Sequence, residues 1–122
     1  MPLTVLAIDD SRTIRELLRE ALMQAGFEVH LAIDGLDGLE KLEAAKPHAV
    51  ITDINMPRMD GFGFIRAVRE QPQHSALPII VLTTESAAEL KAKAREAGAT
   101  AWIVKPFDEA KLVSALRRVA VA

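Results

Sequence analysis

Asp9, Asp10, Asp53, Thr83 and Lys105 are the residues of this 122-residue sequence whose types and spacing could do chemistry. Each lies at or just after the end of a short apolar run, so each falls at a strand terminus if those runs are strands. Three carboxylates held within a few ångströms repel by about 4 kcal/mol per close pair at an effective dielectric near 20, and such a cluster requires a cation. Oxygen-only donors in low number suit a hard divalent ion, magnesium with manganese as a substitute, which keeps waters and binds phosphate oxygens. Lys105 adds a charge able to reach a phosphoryl oxygen, and Thr83 adds a hydroxyl donor. Phosphoryl transfer asks for an in-line nucleophile, a metal and a few donors fixed in advance. A carboxylate can be that nucleophile, forming a mixed anhydride. Asp53 fits best, being placed between the acid pair and the Thr83–Lys105 side. Taken singly, an acid at a strand end is more often a helix cap or turn former. It is the coincidence of five positions that points to chemistry.

The elements that must position these residues follow from the apolar pattern. Leu3 to Ile8, Glu28 to Ala32, Ala49 to Thr52, Pro78 to Leu82 and Ala101 to Val104 are rich in Val, Ile or Leu and read as strands. Several are apolar at consecutive positions, as expected for a parallel sheet covered on both faces. Between them, helical spacing recurs. The first helix carries Ile14, Leu17, Leu18, Ala21 and Leu22, with Ser11 as N-cap and Gly26 as terminator. The second runs from a cap at Asp34 through Leu36, Leu39 and Leu42 and stops before Pro47. The third follows Gly61 with Phe62, Ile65 and Val68 inward and ends before Pro72. Ser86 and Glu89 form a capping box for a fourth, alanine-rich helix with Leu90, Ala94 and Ala97 on one face, ending at Gly98. A fifth opens at Asp108, with Phe107 stapled onto Leu112, and buries Leu112, Leu116 and Val119.

Five βα units in strict alternation predict an α/β fold, a doubly wound five-stranded parallel sheet with helices on both faces. In the flavodoxin-like order 2-1-3-4-5, the four strands carrying the polar groups are contiguous and the silent second strand is an edge. Their carboxyl ends then share one crevice.

The length fits one domain over residues 1–122. With 50% hydrophobic and 26% charged residues, the composition is globular and not disordered. A net charge of -2 with interspersed signs gives no basic block for nucleic acid or an acidic membrane. The absence of cysteine excludes thiolate chemistry and disulfides. Without a leader or an apolar span, the expectation is a cytoplasmic monomer. His30, His48 and His74 show no ligand spacing and read as structural or solvated, and the methionine pair Met56 and Met59 reads as packing.

The segments VLAIDDS at Val5 to Ser11, ITDINMPRMDG at Ile51 to Gly61, IIVLTTES at Ile79 to Ser86 and WIVKPF at Trp102 to Phe107 carry a resemblance to a known family. With these, the chain resembles the response-regulator receiver domains, most nearly their chemotaxis-type single-domain members. The resemblance implies that Asp53 is the phosphoacceptor and that Asp9, Asp10, Asp53 and the backbone carbonyl of Asn55 hold magnesium. It implies that Thr83 and Lys105 grip phosphoryl oxygens, that Lys105–Pro106 is cis, and that Thr83 and Trp102 form the switch. Trp102 stands where tyrosine or phenylalanine is more usual, and Thr84 where a small residue is common. Asn55 and Glu85 occupy positions that tune the hydrolysis of the acyl phosphate. The implied partners are a sensor histidine kinase or histidine phosphotransfer protein and a downstream target that meets the fourth helix, fifth strand and fifth helix. Two other functions fit an aspartate cluster on an α/β sheet: a phosphomonoesterase working through an aspartyl phosphate, which usually needs a covering insertion, and a receiver-like binding module that takes no phosphate.

Overall fold

The computed structural model describes residues 2–120. Five strands alternate with five α-helices: β1 (Thr4–Ile8), α1 (Arg12–Gln24), β2 (Glu28–Ala32), α2 (Gly35–Ala45), β3 (Ala49–Thr52), α3 (Gly61–Arg69), β4 (Ile79–Thr83), α4 (Ala88–Ala97), β5 (Ala101–Val104) and α5 (Glu109–Val119). A single 3-10 turn, Pro72–His74, separates α3 from β4. All pairings are parallel, as the alternation predicts, and the order is β2-β1-β3-β4-β5, the flavodoxin-like order that places the polar strand ends side by side.

The unbroken apolar runs have a direct packing explanation. Leu6, Ile8, Val50, Ile79 and Val81 point to the face covered by α2, α3 and α4, where Leu42, Phe64, Ile65 and Ala94 meet them. Val5, Ala7, Ala49, Ile51, Ile80 and Leu82 point to the opposite face, against Leu18, Leu22, Leu112 and Leu116 of α1 and α5. Alternate residues of each central strand thus enter different cores, and both sets must be apolar. The edge strands β2 and β5 are only partly buried.

Most of the expected helix boundaries hold. Ser11 accepts from the Ile14 N–H, Asp34 from that of Asp37 and Asp108 from that of Lys111, each capping its helix. Gly26, at φ 95, turns the chain after α1. Phe107 packs on the cluster that buries Leu112.

Three expectations are corrected. The Ser86–Glu89 capping box does not form: α4 starts at Ala88 behind Ala87, with no side-chain cap. The backbone at Glu85 is held by Thr83, so the first helical turn falls one residue later and Ser86 lies outside the cap position. Leu17 and Leu36 are exposed, at 45% and 41%. A helix lying on a sheet buries a narrow arc, which in α1 is Leu18, Ala21 and Leu22, and in α2 is Gly35, Gly38 and Leu42. Gly38 belongs there because it lies against Ile8 and Phe64, where a Cβ would stand 2.6 Å from Ile8 Cδ1. Finally, β4 begins after Pro78, which has no N–H for the ladder, and extends to include Thr83, paired with Val104.

Candidate active site

The central strands deliver the acidic residues to one end of the sheet. Asp9 follows β1 and donates its backbone N–H to Ala32, and Asp53 follows β3 and donates its own to Ile8, so parallel pairing fixes the two side by side. One carboxylate oxygen each from Asp9, Asp10 and Asp53 lies within 4.8 Å of the others. Lys105, just past β5, reaches back across the sheet end. Its Nζ donates to Asp9 Oδ2 at 2.8 Å and to Asp53 Oδ2 at 2.9 Å. Two acids and one ammonium therefore form a nearly dry triad, with side-chain exposures of 2%, 11% and 11% for Asp9, Asp53 and Lys105.

The electrostatics follow from that burial. Loss of solvent raises the Asp9 pKa; hydrogen bonds from Lys105 and the Ser11 N–H pull it down, the charge of Asp53 pushes it up, and the net shift is upward. For Lys105, burial is the largest single influence and disfavours the charged form, but the hydrogen bonds to Asp9 and Asp53 and the charges of those two acids together outweigh it and the pKa is raised. Lys105 is therefore firmly cationic at neutral pH.

The remaining oxygens are also set. Asp9 Oδ1 accepts from the Ser11 N–H at 2.9 Å, and Asp53 Oδ1 from the Ile54 N–H at 2.7 Å. Arg15 on α1 donates to the backbone carbonyl of Asp9 at 2.8 Å. Asp10 is exposed and makes no side-chain hydrogen bond among the described residues. Three acids against one lysine leave a net negative cluster of oxygen donors, partly open at Asp10, and this donor set fits a hard divalent cation.

The other expected residues sit around this cluster. Thr83 is fully buried at the end of β4, whereas Thr84 is exposed, so the burial separates two neighbours that apolar periodicity leaves equivalent. The Thr83 hydroxyl accepts from the Glu85 N–H at 3.3 Å. Asn55 Nδ2 donates to Glu85 Oε1 at 3.1 Å, and Trp102 Nε1 donates to the Glu85 carbonyl at 3.1 Å. One residue, Glu85, thus contacts Thr83, Asn55 and Trp102. The Trp102 indole is half-buried against the α2–α3–α4 core. The bond between Lys105 and Pro106 is cis.

Sequence reasoning missed an ion pair beside the site. Arg58, in the β3–α3 loop, donates from Nε to Asp34 Oδ2 at 2.6 Å and from Nη2 to Asp34 Oδ1 at 3.0 Å. The Arg58 hydrogen bonds hold the Asp34 carboxyl below its ordinary pKa. The signal was present in the sequence, because Arg58 occupies the tip of a turn-forming Met-Pro-Arg-Met-Asp-Gly segment, but nothing in the spacing links it to residue 34.

Comparison with known proteins gives the same picture. The family model described as response regulator receiver domain matches residues 5–117. A probable chemotaxis protein CheY of Rhizobium etli is 40% identical over 116 residues, covering 94% of this chain and 90% of that protein. Response regulator MprA of Mycobacterium sp. (strain KMS) is 37% identical over 117 residues, 96% of this chain but 50% of that protein. The chain thus spans about half the length of several curated relatives it matches. Among solved structures, the chemotaxis protein CheY4 of Vibrio cholerae superposes with a TM-score of 0.93 at 44% identity, over 98% of this chain and 99% of that one. Order of strands, acids at their carboxyl ends and matched sequence all lead to one assignment: this chain belongs to the response regulator receiver domain family, the CheY-like receivers of two-component signalling.

Proposed function

We propose that Asp53 accepts a phosphoryl group from a phosphohistidine on a histidine kinase or phosphotransfer protein. The supporting observation is the triad of Asp9, Asp53 and Lys105 with Asp10 alongside: a carboxylate oriented by the Ile54 N–H and Lys105, next to two further acids that provide for a cation. In the transfer, an Asp53 carboxylate oxygen attacks phosphorus, the phosphorus–nitrogen bond breaks, and the imidazole leaves with the electron pair. An acyl phosphate results. Asp9, Asp10, Asp53 and the Asn55 carbonyl would hold magnesium, which when bound would offset the charge of the phosphoryl oxygens. Lys105, already cationic against two acids, follows the developing charge onto the phosphoryl group. The Thr83 hydroxyl supplies a second donor once it leaves the Glu85 N–H. Return to the starting state needs water to attack phosphorus and release inorganic phosphate, and the hydrogen-bonded pair Asn55 and Glu85 tunes the rate of that hydrolysis.

The readout lies in Glu85. Movement of Thr83 toward a phosphoryl oxygen removes the acceptor from the Glu85 N–H, and the same residue holds the Trp102 indole through its carbonyl. Phosphorylation thereby biases two arrangements of α4, β5 and α5, the surface offered to a downstream protein. No helix among the described residues is long and apolar enough to cross a membrane, which accords with action in the cytoplasm.

Incubation with acetyl phosphate and magnesium tests this directly by intact-mass measurement. One added phosphoryl group is expected, and none in Asp53→Asn. Steady hydrolysis of many phosphomonoesters would favour a phosphatase instead, and unchanged mass would favour a binding module.

A further inference from the structure

The β3–α3 loop carries a strain that its own sequence does not require. Arg58 sits at φ 65, in the left-handed region that glycine adopts freely and a long side chain does not. What the arginine gains there is Asp34. Its guanidinium makes a two-pronged contact with a carboxylate that is 3% exposed and that simultaneously caps α2. A second tie runs alongside, from the Gly35 N–H to the Met59 carbonyl at 3.0 Å. Residue 35 must be glycine for this approach, since a Cβ there would stand 2.6 Å from Met59 Cγ. The loop is closed at its base as well, by the Gly61 N–H donating to the Ile54 carbonyl at 2.8 Å. Base and tip are therefore both fixed, and Asn55 lies between them.

We propose that the Asp34–Arg58 clasp is a positioning device for the cation site: it holds the β3–α3 loop, and with it the Asn55 backbone carbonyl that the proposed function assigns to the cation. This rests on the metal-binding reading above. Arg58 and Asp34 touch neither cation nor phosphoryl group and act through the loop alone. Groups that orient metal ligands in this way commonly affect affinity strongly.

Arg58→Gly is the informative variant, because glycine tolerates the φ of that position and only the side chain is lost. On charge alone, removing a cation near an acidic cluster would tighten magnesium binding. Loss of positioning does the opposite. Magnesium titrations by calorimetry are expected to show binding weakened about tenfold in Arg58→Gly. Arg58→Lys, which keeps the charge but not the two-pronged fork, is expected between the two. The double variant Arg58→Gly with Asp34→Asn, which leaves no buried unpaired carboxylate, is expected to match Arg58→Gly. In metal-free protein, amide exchange at Ile54, Met59 and Gly61 is expected to speed up about tenfold in Arg58→Gly, while amides of β1 and β3 keep their protection. Equal or tighter magnesium binding in Arg58→Gly would overturn the proposal even if the variant were less stable. A wild-type protein that binds no magnesium would instead remove the metal reading and this inference with it.

Discussion

Asp10→Asn separates two effects that the acidic cluster combines. Carboxylate oxygens of residues 9, 10 and 53 lie within 4.8 Å of one another. At that distance two unit charges repel by about 3.5 kcal/mol at an effective dielectric of 20 and by about 0.9 kcal/mol in bulk water. Asp10 is exposed, so the lower figure is the better guide, and Lys105 already engages the other two acids. Neutralising Asp10 should therefore stabilise the metal-free protein by about 1 kcal/mol, or about 4 °C in melting temperature for a chain of this size. With magnesium the order should invert. A ligand at a hundred times its Kd stabilises by about 2.7 kcal/mol, and the variant, short of one ligand, binds more weakly and gains less. Urea and thermal unfolding in EDTA and in graded magnesium measure both quantities. A variant less stable than wild type in EDTA, or a magnesium response identical in the two proteins, would refute the clustered-carboxylate reasoning.

Three further outcomes are expected. Lys105→Met should cost about 3 kcal/mol at pH 7 by leaving Asp9 and Asp53 uncompensated in a nearly dry site, as urea unfolding would show. Because the folded Asp9 pKa already lies above its ordinary value and rises further without lysine, this penalty should shrink as pH falls through the folded value and Asp9 takes up a proton. Asp34 behaves in the opposite sense: its folded pKa is depressed, so its contribution is present above the unfolded value of 3.8 and lost as pH falls through the folded one. The stability difference between wild type and Asp34→Asn, followed by urea unfolding from neutral to acid pH, should close on that acid limb. Finally, Asp108→Ala should cost about 1 kcal/mol by removing a working helix cap, whereas Ser86→Ala should stay within about 0.5 kcal/mol because Ser86 caps nothing.

The parts of the fold that were legible in the sequence are those that local chemistry decides. Apolar runs with no alternation can be satisfied only by a sheet covered on both faces, and cap residues such as Ser11, Asp34 and Asp108 mark helix starts because they answer unpaired N–H groups nearby in the chain. The site was legible for a related reason: the strand ends of a doubly wound sheet converge, so residues 9, 10, 53 and 105 could be assigned to one crevice before any distance was known. What escaped were properties set by tertiary contact. Leu17 and Leu36 lie on the helical stripe, but how wide an arc a helix buries depends on the curvature of what it rests on. Ser86 and Glu89 have capping-box spacing, yet hydrogen bonds at Glu85 set where the helix begins. The Asp34–Arg58 pair joins residues 24 apart, and no periodicity connects them.

The light anchoring of α4 has a consequence for sensitivity. Ala94 is its one buried residue, and its leading turn lacks a side-chain cap, so little free energy distinguishes one seating of this helix from another. Driving a two-state element from 1:99 to 99:1 takes about 5.5 kcal/mol of differential stabilisation. A helix welded down by large aliphatic side chains would demand more than a single covalent modification can deliver. Under the proposed function, so light an anchorage would let one phosphate shift the seating of α4, and enlarging Ala94 or adding a cap at Ala87 should reset the threshold of the response without touching the aspartates.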